Sequence, residues 1–473
     1  MPVERPEYST PSNAATGLVP RNIRNGLITI AIAAVLSYAL YAFLPYEEAA
    51  NRGLALLLFV AILWFTEAVH ITITALMVPV LGVLLFMPGN EGMPSVTMKE
   101  ALTNFANPII FLFFGGFALA TAMQVQRIDY KIARRIIQLS GSRLLYATIA
   151  LCAVTAFLSM WISNTATAAM ILPLALGLLS NVDKSDRNTR IFVLLAIAYS
   201  ASIGGIGTIV GSPPNGIAAK ALEMHFVDWM PYGIPVMLAL LPIMFIVLML
   251  VFRPNLNHQI ALENDEYLPW TPPRIMTMVV FVVTATLWIL GGWLKDLGIS
   301  SPDTLVAIAA IIAVVALGLA TWPQVVDNTD WGVLLLFGGG ITLSAILKES
   351  GASLVLGEQV AHTFGHLHPL LIITIITAFI IFLTEFTSNT ASAALLVPVF
   401  ATIGVELGMP KETLVLVIGI GASCAFMLPV ATPPNAIVFG TGEIRQRDMV
   451  RGGMYLNVAS IIFVALFSYF FIH

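Results

Sequence analysis

Long apolar runs joined by short polar stretches fill nearly all of the chain after residue 26. Those near 27–45, 53–70, 71–87, 107–126, 230–252, 275–294, 303–321, 330–347 and 455–472 approach the roughly 20 residues a helix needs to cross a hydrocarbon core about 30 Å thick. Each is predicted as one crossing helix. Residues 143–180 and 368–405 do not fit, because a single helix of that length would reach about 57 Å at roughly 1.5 Å per residue. Each carries a polar Ser-Asn-Thr near its middle, so a re-entrant hairpin with that motif at its tip is the economical solution. Residues 190–224 and 412–442 are also overlong and are interrupted by Pro-Pro-Asn. Two successive prolines remove two backbone donors and clash with the preceding turn, which predicts crossing helices broken in mid-membrane.

These irregular segments are two copies of one pattern. SNTATAAMILP begins at Ser163 and SNTASAALLVP at Ser388, with seven of eleven residues identical. Gly211-Ser212-Pro213-Pro214-Asn215 is answered by Ala431-Thr432-Pro433-Pro434-Asn435. The offsets, 225 (388 − 163) and 220 (433 − 213), keep the two motifs in the same order in each half. The predicted organisation is a polar N-terminal segment 1–26, an extra first helix 27–47, a first repeat 53–252 and a second repeat 275–473.

Composition supports a membrane setting, with 58% hydrophobic residues, 10% charged and a mean hydropathy of +0.91. With the N-terminus cytoplasmic and both long segments folded as hairpins, sixteen of the 22 Lys and Arg residues fall on the cytoplasmic side. Basic clusters then flank both ends of the first hairpin, and the mouth of the second lies on the outer face. The predicted fold is all-α and polytopic, with about eleven crossing helices plus two hairpins in inverted-topology repeats. The N-terminus is placed inside, the C-terminus outside and the chain in the plasma membrane, a bacterial inner membrane by expectation. Residues 127–140 alternate apolar and basic positions at helical spacing, as in a helix lying in the interface. Cys152 and Cys424 lack metal-ligand spacing and are expected as small core residues.

Inverted repeats bring both hairpin tips and both broken helices together near the midplane. Half-helix N-termini with Asn, Ser and Thr donors suit carboxylate oxygens, and interrupted backbone exposes carbonyls for a hard cation. Neither motif has Lys, Arg or His close by. A dianion in mid-membrane then needs other positive charge, which bound Na⁺ beside each motif would supply, implying at least two ions. The glycines 115–116 and 338–340 are expected to serve close helix packing. Glu67 and His70, read as sitting together on one helix, are expected to hold helices together. Glu385 is open to three readings: proton carrier, support for the second cation half-site, or structural residue. The matching position in the first repeat is Met160, so Glu385 cannot belong to a symmetric ion site. No apolar span holds an acidic dyad or HExxH, and no ring of charge suggests a pore, so enzyme and channel are disfavoured. Nothing points to an organic cofactor or to a nucleic-acid partner.

At these residues the chain resembles the divalent anion:sodium symporter family, which includes INDY-like bacterial sodium/dicarboxylate transporters. The likeness runs from about residue 27 through WFTEAVHITITALMVP (64–79), FLFFGGFALATAM (111–123), SMWISNTATAAMILP (159–173), GTIVGSPPN (207–215), FLTEFTSNTASAALLVP (382–398) and ATPPNAIVFGTG (431–442). The resemblance implies a homodimer whose scaffold domains carry the dimer contact while transport domains slide as an elevator. It implies one Na⁺ site at Ser159, Ser163, Asn164 and Gly211, and a second at Thr384, Thr387, Asn389 and Ala431. Substrate would meet Ser163, Asn164, Thr165 and Ser212 from the first repeat, and Ser388, Asn389, Thr390, Thr432 and Pro433 from the second. His70 departs from the family's frequent proline, and Thr387 stands where some relatives have alanine.

The expected function is Na⁺-coupled uptake of C4 dicarboxylates such as succinate, malate or fumarate across the bilayer. A Na⁺-independent dicarboxylate exchanger and a Na⁺-coupled citrate or sulfate transporter are the alternatives, since Ser, Asn and Thr donors fit several oxyanions.

Overall fold

The computed structural model describes residues 19–87, 95–180, 182–259 and 268–473, so most of the polar segment 1–26 lies outside the described residues. Regular structure among them is helical, apart from one isolated bridge between Arg143 and Gln259. Helix α1 (Val19–Phe43) precedes two parallel series. The first is α2 (Glu48–Thr66), α3 (Ile71–Leu85), α4 (Met98–Thr103), α5 (Pro108–Val125), α6 (Ile128–Leu139), α7 (Leu144–Ser159), α8 (Asn164–Leu179), α9 (Arg187–Gly205), α10 (Pro213–Ala221) and α11 (Phe226–Phe252). The second is α12 (Pro272–Ile289), α13 (Gly291–Asp296), α14 (Pro302–Ala316), α15 (Trp322–Asp327), α16 (Trp331–Glu349), α17 (Ala352–Phe364), α18 (Pro369–Leu383), α19 (Asn389–Glu406), α20 (Lys411–Gly421), α21 (Pro433–Phe439) and α22 (Gln446–Phe471). Apart from α13, each helix of one series has a counterpart in the other.

The packing separates these helices into two bodies. In one, α3 lies on α16 and α5 on α14, so each repeat supplies a helix to its neighbour's partner. Glycine permits this approach: a Cβ on Gly115 would meet Ala307 backbone at 2.8–2.9 Å, and one on Gly339 would meet Ala75 backbone at 2.6–2.8 Å. In the other body, α10 packs against α19 and α20 while α21 packs against α8 and α9, and α11 lies along α22. Each broken helix thus sends its second half into the opposite repeat, the exchange a two-fold relation requires.

Helices α6 and α17 join the bodies, each entered through a left-handed residue, Arg127 (φ 54°) and Gly351 (φ 76°), at equivalent positions. In α6, Ile128, Ala133 and Ile137 are buried while Arg135 and Gln138 are exposed, the amphipathic division expected of an interfacial helix, with Asp129 buried and Ile136 and Leu139 exposed as exceptions. Among the described residues, eight helical segments are long and apolar enough to cross a membrane. Helices α7 and α8, 16 residues each, span only about 24 Å apiece and pack along one another. In the second repeat the arms diverge. Helix α18, with 15 residues, packs on α20 and α22, whereas α19, with 18, packs on α17, α20 and α10.

The reading of Glu67 and His70 needs correction, because they share no helix. Glu67 ends α2 in a left-handed conformation (φ 47°), and His70 caps α3 by accepting from the Thr72 N–H. Both are exposed, so neither holds a helix pair together. Cys152 and Cys424 are buried and unbonded to each other, as small core residues.

Candidate functional site

Each Ser-Asn-Thr motif starts a helix. Ser163 and Ser388 occupy the N-cap, their Oγ atoms accepting from Ala166 N (3.2 Å) and Ala391 N (3.4 Å). The first two backbone N–H groups of α8 (Asn164, Thr165) and of α19 (Asn389, Thr390) lie before the first intrahelical bond and point out of the helix end. The broken helices restart differently. Pro213-Pro214 and Pro433-Pro434 fill the first two positions of α10 and α21, so these ends carry no such donors. What they present instead are hydroxyls. Ser212 Oγ lies 3.1 Å from Ser423 Oγ of the other repeat, and Thr432 Oγ1 accepts from Asn435 N at 3.3 Å.

Behind the first hairpin tip, Ser159 Oγ sits 2.6 Å from both the Asn164 carboxamide and Ala201 O. The same carboxamide terminus lies 3.2 Å from Ala201 O and 3.2 Å from Gly211 O. With its NH₂ turned inward, Asn164 has two hydrogens to share among these three oxygens. With Oδ1 inward, four oxygens converge with too few hydrogens among them, an arrangement that a cation satisfies. The second repeat holds three of these four oxygens in the same relation: Thr384 Oγ1 lies 2.5 Å from Asn389 Oδ1 and 3.1 Å from Ala422 O. The fit is close at Gly205, where a Cβ would come within 2.5 Å of Asn164 Oδ1 and 2.9 Å of Gly211 O.

The sequence-predicted residues divide by where the structure places them. Ser159, Asn164 and Gly211 come together, as do Thr384 and Asn389. Thr387 turns its hydroxyl to Leu383 O (2.9 Å) and Ser392 Oγ (2.8 Å), away from that cluster, and only its carbonyl remains for a ligand. Ala431 is buried in the α20–α21 loop with its N–H on Leu428 O. Thr165 and Pro433 are exposed, and Thr390 is half-buried.

Other participants were not foreseen. Ala201 O and Ala422 O carry no side-chain signature, so nothing in the sequence marks them. The asparagines of the Pro-Pro-Asn motifs were legible as a repeated pair but not by role: Asn215 ties the end of its first half-helix to the loop, and Asn435 ties two points of its loop together. Asn215 Nδ2 donates to Gly205 O (2.8 Å) and Thr208 O (2.7 Å), and Asn435 Nδ2 to Ala425 O (3.2 Å) and Leu428 O (3.0 Å). Tyr199 bridges the repeats, its hydroxyl donating to Phe426 O at 2.6 Å.

The two tips are not equally covered. Trp161 stacks on Phe226 (6.0 Å) and meets Phe281 edge-on (5.4 Å). Its counterpart Phe386 is 72% exposed, and Val430, beside the second broken helix, is 84% exposed. The ring at the second tip is open, whereas the ring at the first tip is packed against other aromatic rings, although Thr165 beside it is exposed.

Two interlocked, exchanged repeats of broken helices, carried on a mostly apolar all-helical frame, define an integral membrane transporter fold. The sequence profile described as the sodium:sulfate symporter transmembrane region matches residues 24–472, and the chain belongs to that family. It is 52% identical over 463 residues to an uncharacterized transporter of Haemophilus influenzae, covering 95% of this chain and 98% of that protein. It is 34% identical over 453 residues to the sodium-dependent dicarboxylate transporter SdcS of Staphylococcus saprophyticus, covering 89% and 85% respectively. The crystal structure of the YdaH transporter of Alcanivorax borkumensis shares the fold, with a TM-score of 0.57 at 14% identity over 84% of this chain and 98% of that one.

Proposed function

We propose that the protein couples inward Na⁺ movement to the uptake of C4 dicarboxylates such as succinate, malate or fumarate. The observation that carries this reading is the pair of matched oxygen clusters, at Ser159/Asn164 and Thr384/Asn389, each directly behind a helix end with free N–H groups. Oxygens without hydrogens suit Na⁺. The N–H groups and hydroxyls in front suit carboxylates, and no basic side chain of either motif competes with the ions for the role of counter-charge. At least two ions follow from two clusters. Na⁺ binds first, turning each asparagine so that Oδ1 faces the ion and its NH₂ faces the substrate. The name of the Staphylococcus relative agrees with this substrate class.

The two-body packing supports elevator movement, which this reading places within a homodimer. The body of α7–α11 and α18–α22 carries the site, and small residues line its contact with the other body, Gly116 against Val210 and Gly340 against Ala394. The exposed Phe386 and Val430 beside the second tip, against the packed Trp161 at the first, fit one end state of alternating access. In the predicted topology the open side faces the cytoplasm.

Purified protein in vesicles tests the reading with labelled succinate. Uptake driven by an inward Na⁺ gradient into vesicles lacking internal dicarboxylate is the expected result. Uptake that ignores Na⁺ and requires internal dicarboxylate would replace it with exchange.

A further inference from the structure

The two broken helices are not equivalent, and the difference centres on one carboxylate. Helix α9 runs to Gly205, and the N–H groups of Ile206 and Gly207 close back on Ile203 O and Gly204 O. Helix α20 stops at Gly421, four positions earlier once the offset of 220 is applied (421 − 220 = 201). The unwound stretch leaves the N–H groups of Phe426, Met427 and Leu428 without backbone partners. Glu385 takes all three, Oε1 accepting from Phe426 N (2.7 Å) and Met427 N (2.9 Å), and Oε2 from Leu428 N (3.1 Å). Asn457 of α22 adds a fourth donor to Oε1 at 2.7 Å.

Glu385 is fully buried, and among the described residues no ion pair reaches it. Four donors and no acceptor around two oxygens are the surroundings of an ionised carboxylate. An unpaired negative charge buried in an apolar body is costly unless a cation accompanies it. Its chain neighbour is Thr384, whose hydroxyl and whose partner Ala422 O belong to the second oxygen cluster. At the matching place in the first repeat stands Met160, whose carbonyl accepts from Thr208 Oγ1 at 2.5 Å and whose side chain brings no charge.

We infer that Glu385 is a positioning residue that makes the two cation sites unequal: it holds the unwound 426–428 backbone in place and lends its negative charge to the ion at Thr384/Asn389. That ion binds more tightly than the one at Ser159/Asn164 and loads first. The inference rests on the sodium reading of the clusters.

The experiment is a Na⁺ titration of the thermal stability of the purified protein, with succinate affinity measured separately at saturating Na⁺. Glu385→Gln keeps the shape and an acceptor oxygen but removes the charge, and Glu385→Asp keeps the charge on a shorter arm. The expected result for Glu385→Gln is a half-saturating Na⁺ concentration raised about tenfold or more, with succinate affinity at saturating Na⁺ within about twofold of the parent. Glu385→Asp stays within about threefold on the Na⁺ axis, which keeps the test open should Glu385→Gln fail to fold. An unchanged Na⁺ response in Glu385→Gln, or equal losses in both variants, overturns the inference and leaves Glu385 as a backbone staple alone. A parent protein with no Na⁺ response at all overturns the sodium reading itself, and this inference with it.

Discussion

Replacing Gly205 by alanine perturbs the first oxygen cluster while sparing most of the fold. A Cβ at this position falls 2.5 Å from Asn164 Oδ1, 3.0 Å from its Nδ2 and 2.9 Å from Gly211 O. Ordinary contact begins near 3.4 Å, so the carboxamide must retreat by roughly 1 Å, which the end of a short side chain can do cheaply, but the Gly211 backbone carbonyl must also give by about 0.5 Å, which is less cheap. The cost to stability is therefore about 2 kcal/mol, the middle of the overpacking range, partly offset by the better helix propensity of alanine. The cost to the site is larger. Asn164 leaves Ser159 Oγ, Ala201 O and Gly211 O together, and losing a ligand held by three such contacts should weaken Na⁺ at that cluster by about 2–3 kcal/mol, some thirty- to 150-fold. Gly177→Ala is the control, because a Cβ there meets nothing within 4 Å in α8. The assay is Na⁺-dependent succinate uptake into vesicles, paired with thermal unfolding. Gly205→Ala should fold, unfold within a few degrees of the parent and transport only at greatly raised Na⁺, while Gly177→Ala behaves as the parent. Parental Na⁺ dependence in Gly205→Ala would refute the reasoning, since the Asn164 carboxamide could then not be a ligand.

Asn164→Asp and Asn389→Asp each put a negative charge where a substrate carboxylate docks, and each should abolish uptake while the protein remains folded; parental transport by either removes that residue from the site. On the body carrying the site, Arg190 donates to Glu443 at 2.9 and 2.7 Å and to Leu179 O at 2.9 Å, clamping α9 and the end of α8 to the α21–α22 turn. Arg190→Met should cost about 2 kcal/mol at neutral pH, below the figure for a fully buried pair because Glu443 is one-third exposed. The hydrogen bond from Arg190 holds the Glu443 carboxyl below its usual range, so this stabilisation is complete above the unfolded value near 4.5 and is lost as pH falls through the lower folded value. Melting curves of parent and variant should converge in that acid window, and a constant gap across it contradicts the pairing. A cysteine at Phe386 should react with a water-soluble maleimide much faster than one at Trp161, and equal rates would deny the difference in cover between the two tips.

Much of this architecture was legible because polar residues are so expensive inside apolar runs that their position reports a break. Ser163 and Ser388 interrupt segments too long for one crossing, and the structure starts a helix immediately after each. The prolines at 213–214 and 433–434 likewise mark where α10 and α21 begin. What escaped were features set by backbone direction rather than residue type. Ala201 and Ala422 serve through carbonyls that any residue would supply, and the early end of α20 follows from contacts with Glu385 that lie 41 to 43 residues away in the chain. Glu67 and His70 misled because an apolar run crossing a sharp joint looks continuous, and the left-handed turn at Glu67 has no glycine to announce it. The divergence of α18 from α19 was equally silent, since both arms are apolar on nearly every face.

The claim beneath all of this is that alkali cations held by the Asn164 and Asn389 clusters create the positive field in which a doubly charged guest can rest in mid-membrane. Equilibrium binding of labelled succinate to the purified protein over a series of Na⁺ concentrations, with choline as the replacement cation, tests it most directly. The account predicts no measurable binding in choline and affinity that climbs with about the second power of Na⁺ until both clusters are filled. Succinate bound equally well in choline would contradict it.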